Sequence, residues 1–132
     1  MSALDAVKAT WASWEARDTE AITEHMHPDV VHDLSHYEGW PGEAKHVGVG
    51  HALASLGDWM VWWQGYRQEL VGFEEEGDRV LALLRHTGTR EGEHVEEDFA
   101  ILFDVDGEGR VTSWGPWSDV DAAREALRGS RA

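Results

Sequence analysis

Apolar residues near the start of the chain recur at helical spacing. Leu4, Val7, Trp11 and Trp14 fall at i, i+3, i+7 and i+10, one stripe of an amphipathic helix. Asp18 is a suitable N-cap for a second helix, with Glu20 in its first turn and Pro28 placed to end it. Val30–Leu34 reads as a short strand. The stretch "SHYEGWPGEAKHVGVG" after it is dense in glycine and turn formers and reads as a loop. Leu53, Leu56, Met60 and Trp63 then resume helical spacing and predict a third helix over about 50–63.

From Gln64 the period changes to two. Four strand-like runs follow, separated by "EEGD", "REGE" and "DGEG", all glycine-bearing hairpin signals. Ser118-Asp119-Val120-Asp121 resembles a capping box ahead of a last helix, "DAAREALRG". The predicted order is α-α-β-α-β-β-β-β-α, an α+β domain over 1–132 with helices segregated from one long antiparallel sheet. Alternation assigns the faces of that sheet. Phe99, Ile101, Phe103 and Val105 form one strongly apolar set; Val80, Ala82, Leu84, His86 and Gly88 form another. The opposite set on the second of these strands begins with Leu81 and Leu83. Both faces therefore begin apolar, which predicts a second buried face and, through it, a homodimer.

Composition narrows the function. Hydrophobic residues make up 42% of 132 residues, a folding sequence with one core. A net charge of −15 argues against nucleic acid or an anionic membrane surface as partner. Without cysteine there is no disulfide, thiol nucleophile or thiolate metal site. No apolar run of ~18 residues occurs and "MSALDAVKAT" lacks the pattern of a signal peptide, so a cytoplasmic protein is expected. Eight tryptophans are many for this length; such residues fill cores, but they also line ligand cavities.

The order of elements resembles the nuclear transport factor 2-like superfamily, specifically its SnoaL-like branch. The resemblance is carried by "WASWEARDTEAITEHMHPDVVHDLS", "GVGHALASL", "EEEGDRVLALLRHTG" and "FDVDGEGRVTSWGPWSDVDAAREAL", in that order and over nearly the whole chain. It implies a cone-shaped curved antiparallel sheet wrapped by three to four helices (a cystatin-like α+β barrel), with an apolar pocket at one end and frequent dimerisation through the sheet. Members include cyclases, isomerases, epoxide hydrolases, dehydratases and non-catalytic binders, so fold does not fix function.

In ketosteroid isomerases of this superfamily the first strand supplies an aspartate base after a segment similar to "HPDVVHDL", and Asp33 falls on that position. An acid in an apolar cone is desolvated and becomes a useful proton shuttle. Alternatively, Asp33 sits at the strand end and caps the following loop. The isomerases' two oxyanion donors would fall at Thr10 or Trp11 and at Ile101, which removes the basis for isomerase chemistry. The epoxide-hydrolase pattern of arginine between two aspartates is not evident either, since Arg85 and Asp98 belong to the outward set.

His86, inward at mid-sheet, is either an acid/base partner of Asp33 or a core histidine satisfied by a neighbour. Glu97 lies on the inward face nearer the rim, where a solvated glutamate is expected. Trp14, Trp59, Trp63 and Trp114 are candidate pocket walls, with Leu84, Phe99 and Ile101 completing an apolar lining. Histidines cluster in "HMH", "HDLSH" and "KHVGVGH", but His32 and His36 lack a helix that would align them, so no metal site and no cofactor are expected. Two functions remain. One is a cofactor-free acid/base enzyme on a small apolar carbonyl compound, with Asp33 and His86 catalytic; the other is a non-catalytic small-molecule-binding or dimerisation module.

Overall fold

The computed structural model describes residues 2–129. Helix α1 (Ala3–Glu15) begins with a capping box, Ser2 Oγ accepting from the Asp5 amide at 3.1 Å while the Asp5 carboxylate accepts from the Ser2 amide. Helix α2 (Thr19–Glu24) is capped by Asp18, which accepts from the Ala21 amide. It ends before Pro28, because strand β1 (Met26–Asp33) has already begun there. Pro28 falls in the interval between Met26 and Val31 where the register of β1 slips, so its missing N–H interrupts no regular ladder.

The predicted loop contains one further strand, β2 (Lys45–Val47), too short to show an alternation. It pairs antiparallel with the end of β1, Val31 opposite Val47 and Asp33 opposite Lys45. Helix α3 (Val49–Val61) follows, then β3 (Gln64–Glu76), β4 (Arg79–Arg90), β5 (Glu93–Val105), β6 (Val111–Trp117) and α4 (Val120–Gly129). The six strands form one curved, unclosed sheet in the order β2-β1-β6-β5-β4-β3. All pairs are antiparallel except β1 with β6.

Period-two alternation divides the core into two layers. On the concave side Val80, Ala82, Leu84, Phe99 and Phe103 pack beneath Val7 and Trp11 of α1 and Ala52 and Trp59 of α3. On the convex side Leu81, Ala100 and Leu102 lie beneath Ala123 and Leu127 of α4. This corrects the ground on which a homodimer was expected. Leu81 is fully buried and Leu83 half-buried because the chain's own last helix covers them. That helix is tied down by Arg79 Nη1 donating to the Ala126 carbonyl at 2.7 Å and by Arg124 Nε donating to Glu74 at 3.0 Å.

The parallel seam between β1 and β6 has a tight point. A Cβ on Gly115 would stand 1.8 Å from the Asp33 carbonyl oxygen, far inside contact distance, so only glycine lets the strands approach. On either side of it, Trp114 and Pro116 turn to the concave face.

Candidate ligand-binding site

A cavity of about 340 Å³ opens between the concave face of the sheet, α1 and α3. Its floor is formed by His32 of β1, Phe99 and Ile101 of β5, and Trp114 and Pro116 of β6, all buried. Trp11 and Trp14 of α1 and Trp59 of α3 make the walls, and the exposed Glu15, Arg17, Met60 and Gln68 surround the mouth. The lining is overwhelmingly apolar. Of the walls named from sequence, Trp14, Trp59, Phe99, Ile101 and Trp114 stand here; Trp63 and Leu84 belong to the surrounding core.

His32 is the polar group of the floor. Val30, His32 and Leu34 alternate onto the concave face and all three are buried. The imidazole stacks on Trp114, ring centres 4.4 Å apart at 17°, and its Nδ1 lies 2.6 Å from Ser55 Oγ on α3. Ser55 Oγ in turn donates to the Ala52 carbonyl at 2.8 Å. A hydroxyl has one hydrogen, so His32 Nδ1 must carry the proton of the shorter bond. The other ring nitrogen, Nε2, is then a lone-pair acceptor, and it has no partner among the described residues. Burial pushes the His32 pKa down to about 3, with neighbouring His46 adding to the effect and Asp33 opposing it. The ring is therefore neutral at physiological pH, able to accept a hydrogen bond but a weak base.

Asp33 lies one residue further along β1, hence on the other face. It lines a separate convex cleft with His36, Asp104 and Trp117. Its Oδ1 accepts from the Ser35 amide at 2.9 Å, capping the turn that follows, and its Oδ2 is 3.8 Å from His36 Nε2. His36 is stacked on Trp117 with ring centres 3.8 Å apart. The structure thus corrects the pairing of Asp33 with His86: strand parity sends the carboxylate away from the cavity, and neither side chain is a partner of the other.

His86 points inward but sits behind the floor, stacked on Phe99 at 4.0 Å and against Trp63 at 4.7 Å. Both its nitrogens are engaged. Nδ1 is 3.0 Å from Tyr66 Oη and Nε2 is 2.7 Å from Glu97 Oε1. Glu97 also accepts from the Tyr37 hydroxyl, which receives a bond from Arg90 Nη1 at 2.5 Å. Arg90 lies over the Tyr37, Trp62 and Trp63 rings. The hydrogen bond from His86, aided by the one from Tyr37, holds the Glu97 carboxyl below its usual range despite burial. Burial pushes both tyrosine hydroxyls up. Glu97 is accordingly half-buried in a network and not solvated at a rim. His32, Ser55, Tyr37, Tyr66 and Arg90 were not singled out as site residues from sequence. For His32 the signal was present in the Val30–His32–Leu34 alternation; Tyr66 and Arg90 depend on cross-strand register, and Ser55 of α3 and Tyr37 of the loop after β1 on how those segments pack over the sheet.

Among the described residues no group of three or more histidines and carboxylates is placed to hold a metal ion, and no helix is long and apolar enough to cross a membrane.

Several solved structures share this architecture. TerC, co-crystallised with polyporic acid, is 25% identical, with a TM-score of 0.71 over 96% of this chain and 98% of its own. A putative SnoaL-like polyketide cyclase from Jannaschia sp. CCS1 is 19% identical, with a TM-score of 0.70 over 96% and 92%. An LEH-like epoxide hydrolase of M. tuberculosis is 22% identical, with a TM-score of 0.62 over 95% and 88%. The latter two likenesses are of fold alone. No curated protein matches the sequence. The model of the SnoaL-like domain matches residues 7–114, most of the chain, and the protein belongs to that family.

Proposed function

We propose that the protein binds a small, flat, largely apolar ligand in the concave cavity, with His32 as its internal polar contact. The observation that carries this reading is an aromatic-lined cavity of about 340 Å³ whose floor presents one partnerless imidazole nitrogen. Cavities of this size and lining are typical of small-molecule sites. The likeness to TerC, co-crystallised with polyporic acid, supports an organic ligand of this general kind. Binding is favoured over acid/base catalysis because Asp33 faces away, His86 is fully engaged behind Phe99, and His32 is a weak base.

Titration with a planar aromatic compound, read by quenching of tryptophan emission, tests the proposal. Saturable quenching that His32→Leu weakens is expected. Quenching that is linear in ligand, or equal in the variant, would overturn it. We further propose self-association through the part of the sheet that α4 leaves uncovered. Beyond α4 the convex face holds Arg85, exposed and 3.4 Å from Glu96, beside half-buried Leu83. Val71, 67% exposed, lies at a bulge in β3 next to that face. A sedimentation profile of pure monomer at high micromolar concentration would exclude a dimer there.

A further inference from the structure

The cavity has two chemically different ends. The inner end is a neutral acceptor. His32 Nδ1–H is committed to Ser55, so Nε2 presents a lone pair and calls for a donor, such as a hydroxyl, on whatever sits against it. A carboxylate there would meet lone pair with lone pair.

The outer end carries a cation. Arg17 lies at the mouth, exposed, and its guanidinium has no carboxylate or carbonyl partner among the described residues. Acids outnumber lysine and arginine by 26 to 11 in this molecule, yet Arg17, like Arg67 and Arg90, has no carboxylate within 4 Å among the described residues. Arg79, Arg85, Arg110, Arg124 and Arg128 all have a carboxylate within 4 Å. The backbone of Arg17 is also held in the left-handed region, φ 56°, a position that favours glycine. Its amide donates to the Trp14 carbonyl at 3.0 Å, and the next amide, of Asp18, donates to Ser13 at 3.1 Å. These bonds fix the α1 terminus, and with it the root of the side chain, directly beside the wall residue Trp14. Glu15 shares the mouth and opposes Arg17 electrostatically, but no bond joins the two.

Resting on the reading of this cavity as a ligand site, we propose that it takes an aryl acid end-on. A hydroxyl or similar donor reaches His32 Nε2 on the floor, and the anionic group lies against Arg17 at the mouth. The tryptophans between the two ends hold the aromatic body.

Three probes of one shape separate the terms: 2-naphthol, 6-hydroxy-2-naphthoate and 6-methoxy-2-naphthoate, titrated against the wild type and Arg17→Gln, Glu15→Gln and His32→Leu. Hydroxynaphthoate should bind most tightly. Arg17→Gln should weaken it by about threefold or more, as expected for a partly exposed ion pair, and leave naphthol unchanged. Glu15→Gln should tighten both naphthoates. The methoxy compound, lacking the donor, should bind the wild type about fivefold more weakly than the hydroxy compound, and His32→Leu should erase that difference. Equal affinity for naphthol and hydroxynaphthoate, with no effect of Arg17→Gln, would overturn the orientation while leaving the cavity as a binding site. Failure of all three probes to bind would overturn the cavity reading, and this proposal with it.

Discussion

Folding locks His32 into a neutral state, and that makes the protein acid-labile in a defined window. The ring's pKa falls from 6.5 to about 3 on burial, so between those values the unfolded chain binds a proton that the folded chain refuses. Stability contributed by this group is complete above pH 6.5 and declines as the pH drops toward 3. At 1.36 kcal/mol per unit, lowering the pH from 7 to 4 should cost the native state about 3 kcal/mol through His32 alone, a large fraction of a typical domain's stability. The 26 acidic side chains act in the same pH range, some of them in the opposite sense as mutual repulsion is relieved, so the wild-type curve by itself does not isolate the effect. The difference between the wild type and His32→Leu does. Urea denaturation of both at pH 4, 5, 6 and 7 should show the gap between their stabilities changing with pH, with the wild type losing relative ground toward acid. His46, opposite His32 in the β1–β2 pair, and Asp33, its chain neighbour, are present in both proteins. Parallel stability curves would refute the reasoning and place His32 in contact with water.

Gly115→Ala should destabilise by about 3 kcal/mol or more, since the new methyl group must displace the Asp33 backbone and not a flexible side chain; a melting temperature within about 2 °C of wild type would contradict the tight seam. The Glu97 carboxyl, held down chiefly by His86, should titrate below the ordinary glutamate range in carbon NMR. Stability from this pair is present above that range and is lost as pH falls through the folded-state value, and His86→Phe should move the titration upward. Ketosteroid isomerisation should be absent, because the Thr10 hydroxyl is bonded to the Ala6 carbonyl at 2.9 Å and Ile101 offers no donor. Each missing oxyanion donor typically costs a factor of about 10²–10³, so rapid steroid turnover would contradict this placement.

Much of the architecture was legible because the chain's periodicity is clean. The step from helical spacing to period two near Gln64 coincides with the start of β3, and the 99–105 alternation assigns the concave face as observed. β2 was not legible, since three residues carry no period and its identity comes from pairing with β1. The convex cover was misassigned to a second protomer because Leu81 and Leu83 reveal that something buries them, not what does. The site turned on a parity choice of one residue. Placing Asp33 inward followed the isomerase resemblance, whereas Val30 and Leu34, the apolar residues two positions to either side, select His32. Parity along a strand is local information; which acid meets which base is set by register between strands, which a single sequence does not display.

The lone parallel pairing in the sheet has a kinetic consequence. β3, β4 and β5 are joined by short hairpins and can zip together locally, but β1 must find β6 from the opposite end of the chain. Such long-range contacts require the largest loop closure and belong late in folding. His32 and Trp114 are opposite one another across that seam, so the cavity floor is completed only when the last pairing forms. A ligand seated on both rings would therefore join the two ends of the chain, and its binding energy would oppose their parting.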